Sequence, residues 1–218
     1  MAEVLSQSQI DALLNAARNG EMDLEAPALQ PEKKYKKYDF YSPRKFTKER
    51  LKMLNSIFES YARVSNSRLN AMLHATCEIA VESVEEQRYN EFSNALTESD
   101  VVALAKIDRE KLQEETPILV HLDTEVALTI IDRMIGGNGA PEPNLPSDYK
   151  LTDLELNMYE DVMKHLISLL GGSWENYMPL EFEYVRTEVN PTMVQLIGFD
   201  ETVVLVGLNI KFSNCRAE

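Results

Sequence analysis

The residues able to carry chemistry are few and scattered along this 218-residue chain. His74, His121 and His165 are isolated from one another, with no second histidine at helix or strand spacing, so no metal site is expected. His121 stands among the apolar residues Ile118, Val120 and Leu122, and reads as part of a sheet face rather than as a catalytic group. Cys77 and Cys215 make neither a disulfide framework nor a metal motif, and neither sits in a nucleophile setting, which makes a reducing cytoplasm the default expectation. There is no Gly-x-Ser-x-Gly and no Walker pattern. Carboxylates are abundant but dispersed, as on a solvated surface. Gly136-Gly137-Asn138-Gly139 does not read as a phosphate cradle, because such loops follow a strand and open a helix, whereas this one follows a helical pattern. No catalytic residue, cofactor or metal is expected. The chain reads as one that works by binding.

The totals fit that reading. The formal net charge is −14, with 44% hydrophobic and 27% charged residues. A surface this acidic repels nucleic acid and suits protein partners. No apolar run approaches the length of a membrane span, and Met1-Ala2-Glu3 lacks the basic region of a signal peptide. The basic run Lys33-Lys34-Tyr35-Lys36-Lys37 could touch an acidic partner or lipid.

The glycine turn must be positioned by the helix before it. Val126/Ala127, Ile130/Ile131 and Met134/Ile135 recur at helical spacing and predict one apolar face. Asp123 or Thr124 can cap its start, and Gly136 supplies the left-handed residue that ends it. Gly137-Asn138-Gly139 leaves the loop nearly free of side chains, and Pro141 and Pro143 keep the helix from resuming. A bare, exposed turn is predicted, either a flexible linker after a helix cap or a docking surface.

Further out, residues 5–20 predict a short amphipathic helix. Ser6 and Gln9 form a capping box, Leu5 and Ile10 a hydrophobic staple, and Ile10, Leu13, Leu14 and Ala17 an apolar stripe closed by Gly20. Residues 21–38 have Pro27, Pro31 and many charges without an apolar period, and predict a disordered tether spanning about 20–25 Å. A helix on a tether is either a ligand for another protein's groove or a flap that folds back on its own domain.

From Phe46 the chain repeats. Leu51, Leu54, Phe58, Tyr61 and Ala62 mark one long helix, and Leu156, Tyr159, Met163, Leu166, Ile167 and Leu170 another. One offset carries Phe46 to Leu151, Thr47 to Thr152, Leu51 to Leu156 and Met53 to Met158. Thr152 and Glu155 form a capping box with a Leu151/Leu156 staple, whereas Arg50 holds the equivalent Glu place in the first helix. Strand-like runs follow at 76–89, 100–107 and 117–122, and then at 181–197 and 202–212. Trp174 and Tyr177 are expected to close the core beneath the second helix. Two helix-plus-sheet repeats predict an α/β domain with pseudo-twofold symmetry. The second repeat lacks a last strand and helix equivalent to 117–135, which reads as a truncation.

These residues in this order closely resemble the flagellar motor switch FliM family, over essentially the whole chain. Leu5-Ser6-Gln7-Ser8-Gln9-Ile10-Asp11-Ala12-Leu13-Leu14 is similar to the family's N-terminal motif, with Gln9 where Glu is usual. Tyr38-Asp39-Phe40 resembles the entry to its middle domain. Ile131-Asp132-Arg133-Met134-Ile135-Gly136-Gly137-Asn138-Gly139 resembles its Gly-Gly-x-Gly loop, and Glu188-Val189-Asn190-Pro191 extends the likeness. The resemblance implies a pseudo-twofold layered α/β/α domain of the chemotaxis-phosphatase kind at 46–218, a linker at 21–45 and a partner-binding helix at 1–20, with the family's FliN-binding C-terminal domain absent. It implies that Leu5, Ser6, Gln7, Ile10, Asp11, Leu13 and Leu14 bind phosphorylated CheY. It implies that Asp132, Arg133, Gly136, Gly137, Asn138 and Gly139 contact the rotor protein FliG, and that copies assemble in a ring at the cytoplasmic face of the inner membrane.

A CheY-phosphate phosphatase is the alternative. The related phosphatases act through Glu-x-x-Asn on each long helix, where the carboxamide positions the attacking water. Here Glu59-Ser-Tyr-Ala62, Glu155-Leu-Asn-Met158 and Glu160-Asp-Val-Met163 lack that Asn, and Glu91-Phe-Ser-Asn94 lies outside the long helices. A non-enzymatic switch adaptor is expected.

Overall fold

The computed structural model describes residues 45–108, 116–139, 145, 146, 148–191, 194 and 196–212, all within one unit, Arg44–Glu218. The elements in order are α1 (Lys48–Leu73), β1 (Cys77–Arg88), α2 (Tyr89–Ala95), β2 (Val102–Asp108), β3 (Thr116–His121), α3 (Thr124–Met134), α4 (Asp153–Ser168), α5 (Leu170–Trp174), β4 (Glu181–Glu188) and β5 (Thr202–Phe212).

The two long helices start as their sequences dictate. Thr47 caps α1 by accepting the Arg50 N–H at 3.3 Å, but Arg50 has no carboxylate with which to return the bond. At α4 the box is complete. Thr152 Oγ1 accepts the Glu155 N–H at 3.4 Å, and the Glu155 carboxylate accepts the Thr152 N–H at 2.7 Å. Tyr149 adds its hydroxyl to the same carboxylate at 3.1 Å. Helix α1 packs on β1, and α4 packs on β4 and β2.

The strands pair across the halves, which the sequence pattern did not show. β1 from the first half pairs antiparallel with β5 from the second, and β4 from the second pairs antiparallel with β2 from the first, with β3 on the other side of β2. Each cross-half pair carries one bulge. Val81 faces Leu208 and Ser83 faces Gly207, which leaves Glu82 as the extra residue; Tyr184 faces Ala105 and Arg186 faces Leu104, which leaves Val185 as the extra residue. The two irregularities fall at matching places in the two pairs, although the offset that relates them differs from the one that relates the long helices. A bulge adds twist and turns a strand locally, and here it is duplicated with the repeat. Two buried tyrosines also tie the halves together. Tyr61 donates to the Leu166 carbonyl at 3.1 Å and Tyr89 to the Val194 carbonyl at 3.4 Å, each pair separated by 105 positions.

The core lies between helices and sheets. Ile57 and Leu69 of α1, Val102 and Leu104 of β2, Ile130 of α3, and Tyr159, Met163 and Ile167 of α4 are all but fully buried. Tyr159 reconciles its hydroxyl with that setting by donating to the Val101 carbonyl at 3.2 Å. Burial pushes the Tyr61 phenol up to about 12, against a smaller lowering from Ser65, and pushes Tyr159 upward as well.

Several expectations change. The run read as a strand to residue 197 stops at Glu188, ahead of Asn190-Pro191, because Pro cannot donate to a ladder. Helix α2 takes in Tyr89, the last residue of the run expected as strand at 76–89, and lies otherwise between the expected strands. Tyr177 is 51% exposed rather than closing the core, while Trp174 is half-buried with its ring centroid 6.4 Å from that of Phe182. Among the described residues, β5 has no outer neighbour matching β3, and no helix matches α3.

Candidate functional site

Helix α3 holds the glycine turn, and its own start is well defined. Asp123 caps it, accepting the Glu125 N–H at 2.9 Å, and Thr129 Oγ1 donates back to the Glu125 carbonyl at 2.8 Å. Ala127, Thr129, Ile130 and Ile131 are buried, and the helix packs against α1 and α4. The helix ends at Met134 with Ile135 as its cap, and Gly136 turns the chain with φ +93. A side chain there would cost about 1–2 kcal/mol in backbone strain.

Beyond Gly136 the turn folds back on the last turn of α3. The Asp132 carbonyl accepts the Gly137 N–H at 2.7 Å, and the Asp132 carboxylate accepts the Gly139 N–H, also at 2.7 Å. A Cβ built on Gly137 would collide with the Asp132 carboxylate, and one on Gly139 (φ +66) would collide with the Arg133 side chain. Gly139 is buried, Gly137 half-buried, and Gly136 and Asn138 exposed. The turn is therefore a fixed shape, locked by the two charged residues just before it. Of the two alternatives for this turn, the flexible linker does not describe residues 136–139, because Asp132 and Arg133 fill the spaces that Gly137 and Gly139 leave.

Ile135 is the residue that helical periodicity misplaced. Counted with Met134, it belongs on the buried face of α3; it is in fact 69% exposed, because the helix ends one residue before it. The signal that could have found it is Gly136: a residue directly before a left-handed glycine is a cap, and a cap's side chain need not follow the helix face. Ile135, the open backbone of Gly136 and the exposed Asn138 thus form one small surface, an apolar knob beside bare main chain. Asp132 and Arg133 lie half-buried under it, and the Arg133 Nε is buried with no hydrogen-bond partner among the described residues. The N-terminal candidates Leu5, Ser6, Gln7, Ile10, Asp11, Leu13 and Leu14 lie outside the described residues.

The carboxylates considered for phosphatase chemistry are otherwise engaged or poorly placed. Glu155 is taken up by the α4 cap. Glu59 accepts from Asn55 at 2.7 Å, and its third-residue neighbour Ala62 is in the core. Met163, three residues after Glu160, is wholly buried. Glu91 and Asn94 do lie on a helix, but on the seven-residue α2, with both side chains exposed. His121 Nε2 sits 3.5 Å from Asp100, whose carboxylate also holds the Thr97 N–H at 2.7 Å. Among the described residues no group of three or more His, Cys, Asp and Glu side chains is placed to hold a metal ion, and no helix is long and apolar enough to cross a membrane.

A family model described as flagellar motor switch protein FliM matches residues 47–218. The chain is 32% identical over 208 residues to the flagellar motor switch protein FliM of Bacillus subtilis, covering 95% of this chain and 60% of that protein. It is 32% identical over 212 residues to the FliM of Treponema pallidum, covering 97% of this chain and 60% of that protein. The chain thus spans about 60% of the length of these curated relatives. In fold it is similar to a chain in the crystal structure of the FliG–FliM complex from H. pylori, with TM-score 0.69 and 22% identity over 77% of this chain and 88% of that one. By the match over most of its length, the chain belongs to the FliM family of flagellar motor switch proteins.

Proposed function

We propose that this chain is a binding component of the flagellar motor switch that docks a FliG-type rotor protein on the turn at 132–139. The observation that carries the reading is the turn itself, in which exposed Ile135 and Asn138 flank open glycine backbone held in one conformation by Asp132. A fixed turn lets a partner approach main chain closely with little ordering cost, and an exposed apolar side chain supplies the anchor. The H. pylori neighbour is a FliG–FliM complex, which favours FliG as that partner. The N-terminal motif around Ile10, Leu13 and Leu14 captures phosphorylated CheY, and its tether keeps the captured regulator close to the docked domain at high effective concentration. A second, weak contact then suffices to bias the rotor's conformation and the direction of rotation. Neighbouring copies assemble in a ring at the flagellar basal body, on the cytoplasmic face of the inner membrane. No covalent bond is made or broken.

The test is a pull-down of purified FliG by the full chain, with phosphorylated CheY titrated in parallel and phosphate release followed. Retention of FliG, capture of CheY only when phosphorylated, and an unchanged rate of phosphate loss are expected. Loss of phosphate accelerated by catalytic amounts of this chain would replace the adaptor reading with the phosphatase one.

A further inference from the structure

We infer that Asp132 is a positioning residue of the docking turn and does not itself touch the partner. This rests on the turn being the rotor-protein surface.

The geometry points inward. The backbone carbonyl and the carboxylate of Asp132 are both spent on the turn, the first on the Gly137 N–H and the second on the Gly139 N–H, each at 2.7 Å. The space that a side chain at 137 would occupy is the space the carboxylate fills. Charge and gap are therefore two halves of one device. Glycine at 137 admits the carboxylate, the carboxylate fixes the amide of Gly139, and the amide sets the path of the chain between them. A carboxylate–amide bond is charge-assisted and stronger than a neutral one, so this contact can hold a loop with few side chains of its own. Arg133 stands in the same relation to Gly139, with its side chain where a Cβ would be. The spacing of an Asp-Arg pair before three glycines in four positions thus has a local structural reason that requires no partner. What remains facing outward is Ile135, Gly136 and Asn138.

Two substitutions separate positioning from contact. Asp132→Asn keeps an oxygen that can accept the Gly139 N–H but removes the charge; Asp132→Ala removes both. Amide exchange at Gly139 is measured by NMR on the full chain without partner, and FliG affinity is measured by titration. For Asp132→Ala we expect Gly139 exchange to quicken about tenfold and FliG affinity to fall about tenfold, the worth of one charge-assisted hydrogen bond. For Asp132→Asn both should stay within about threefold of the parent. Gly137→Ala should weaken binding in the parent but add little in the Asp132→Ala background, where the carboxylate no longer fills the site, so the pair is non-additive.

Binding lost equally in Asp132→Asn and Asp132→Ala, with Gly139 still protected in Asp132→Asn, would mean that the carboxylate meets a cation on the partner, and would overturn the inference. Unchanged Gly139 exchange in Asp132→Ala would overturn it as well. If the parent chain fails to bind FliG, the docking reading falls, while exchange at Gly139 still decides whether Asp132 holds the turn.

Discussion

Ile135→Ala separates a docking residue from a folding residue by magnitude. In the free protein Ile135 is 69% exposed, so about a third of its surface is already buried against the fold. Fully burying an isoleucine is worth about 1.5–3 kcal/mol, so the free protein can lose no more than about 0.5–1 kcal/mol on truncation. The other two thirds is available to a partner, and covering it would contribute about 1–2 kcal/mol to binding, a factor of roughly 5–30 in Kd. Thermal melting of the variant should therefore shift by only a few degrees. Titration with purified FliG should show a loss of about tenfold. Asn138→Ala serves as a comparison, since Asn138 is exposed at the same surface but offers no apolar anchor. An Ile135→Ala variant with parental affinity and parental melting would refute the reasoning. So would a melting drop well beyond the bound above, because the side chain would then belong to the core.

Three further outcomes follow from other parts of the chain. Thr152→Ala removes one side of the α4 capping box and should cost about 1 kcal/mol by denaturant titration; Thr47→Ala should cost less, since its box is only half formed. Tyr61 is raised above its unfolded value near 10 to about 12, so the neutral phenol is the form that the fold favours, and Tyr159 is raised in the same direction. The stability this contributes is fully present below pH 10 and is lost between 10 and 12, and Tyr61→Phe should flatten that fall in pH-dependent melting. Ile10→Ala and Leu14→Ala should each weaken the capture of phosphorylated CheY, measured with labelled residues 1–20, without changing the domain's melting.

What was legible in the sequence was what is local. The Thr152/Glu155 box with its Leu151/Leu156 staple placed the start of α4, and the Tyr159, Met163, Leu166, Ile167 spacing gave its buried face. The repeat was legible too, because the same helix signature occurs twice. Strand partnership was not. Period-two alternation says which face of β1 is buried but not that its neighbour is β5, and a bulge at Glu82 or Val185 leaves no mark in composition. The glycines announced a turn, but periodicity carried one residue too far and put Ile135 inside. Nor could spacing alone show that Asp132 would close that turn, since its carbonyl accepting an amide five residues on, and its carboxylate one seven residues on, depend on the path of the backbone between them.

The most direct measurement is hydrogen exchange across the whole chain, with and without saturating FliG. Docking on the turn predicts new protection concentrated at residues 132–139, centred on the amides of Ile135 and Gly136, with the strands and the α1 face unchanged. Protection elsewhere on the domain, with residues 132–139 exchanging as in the free protein, would contradict it.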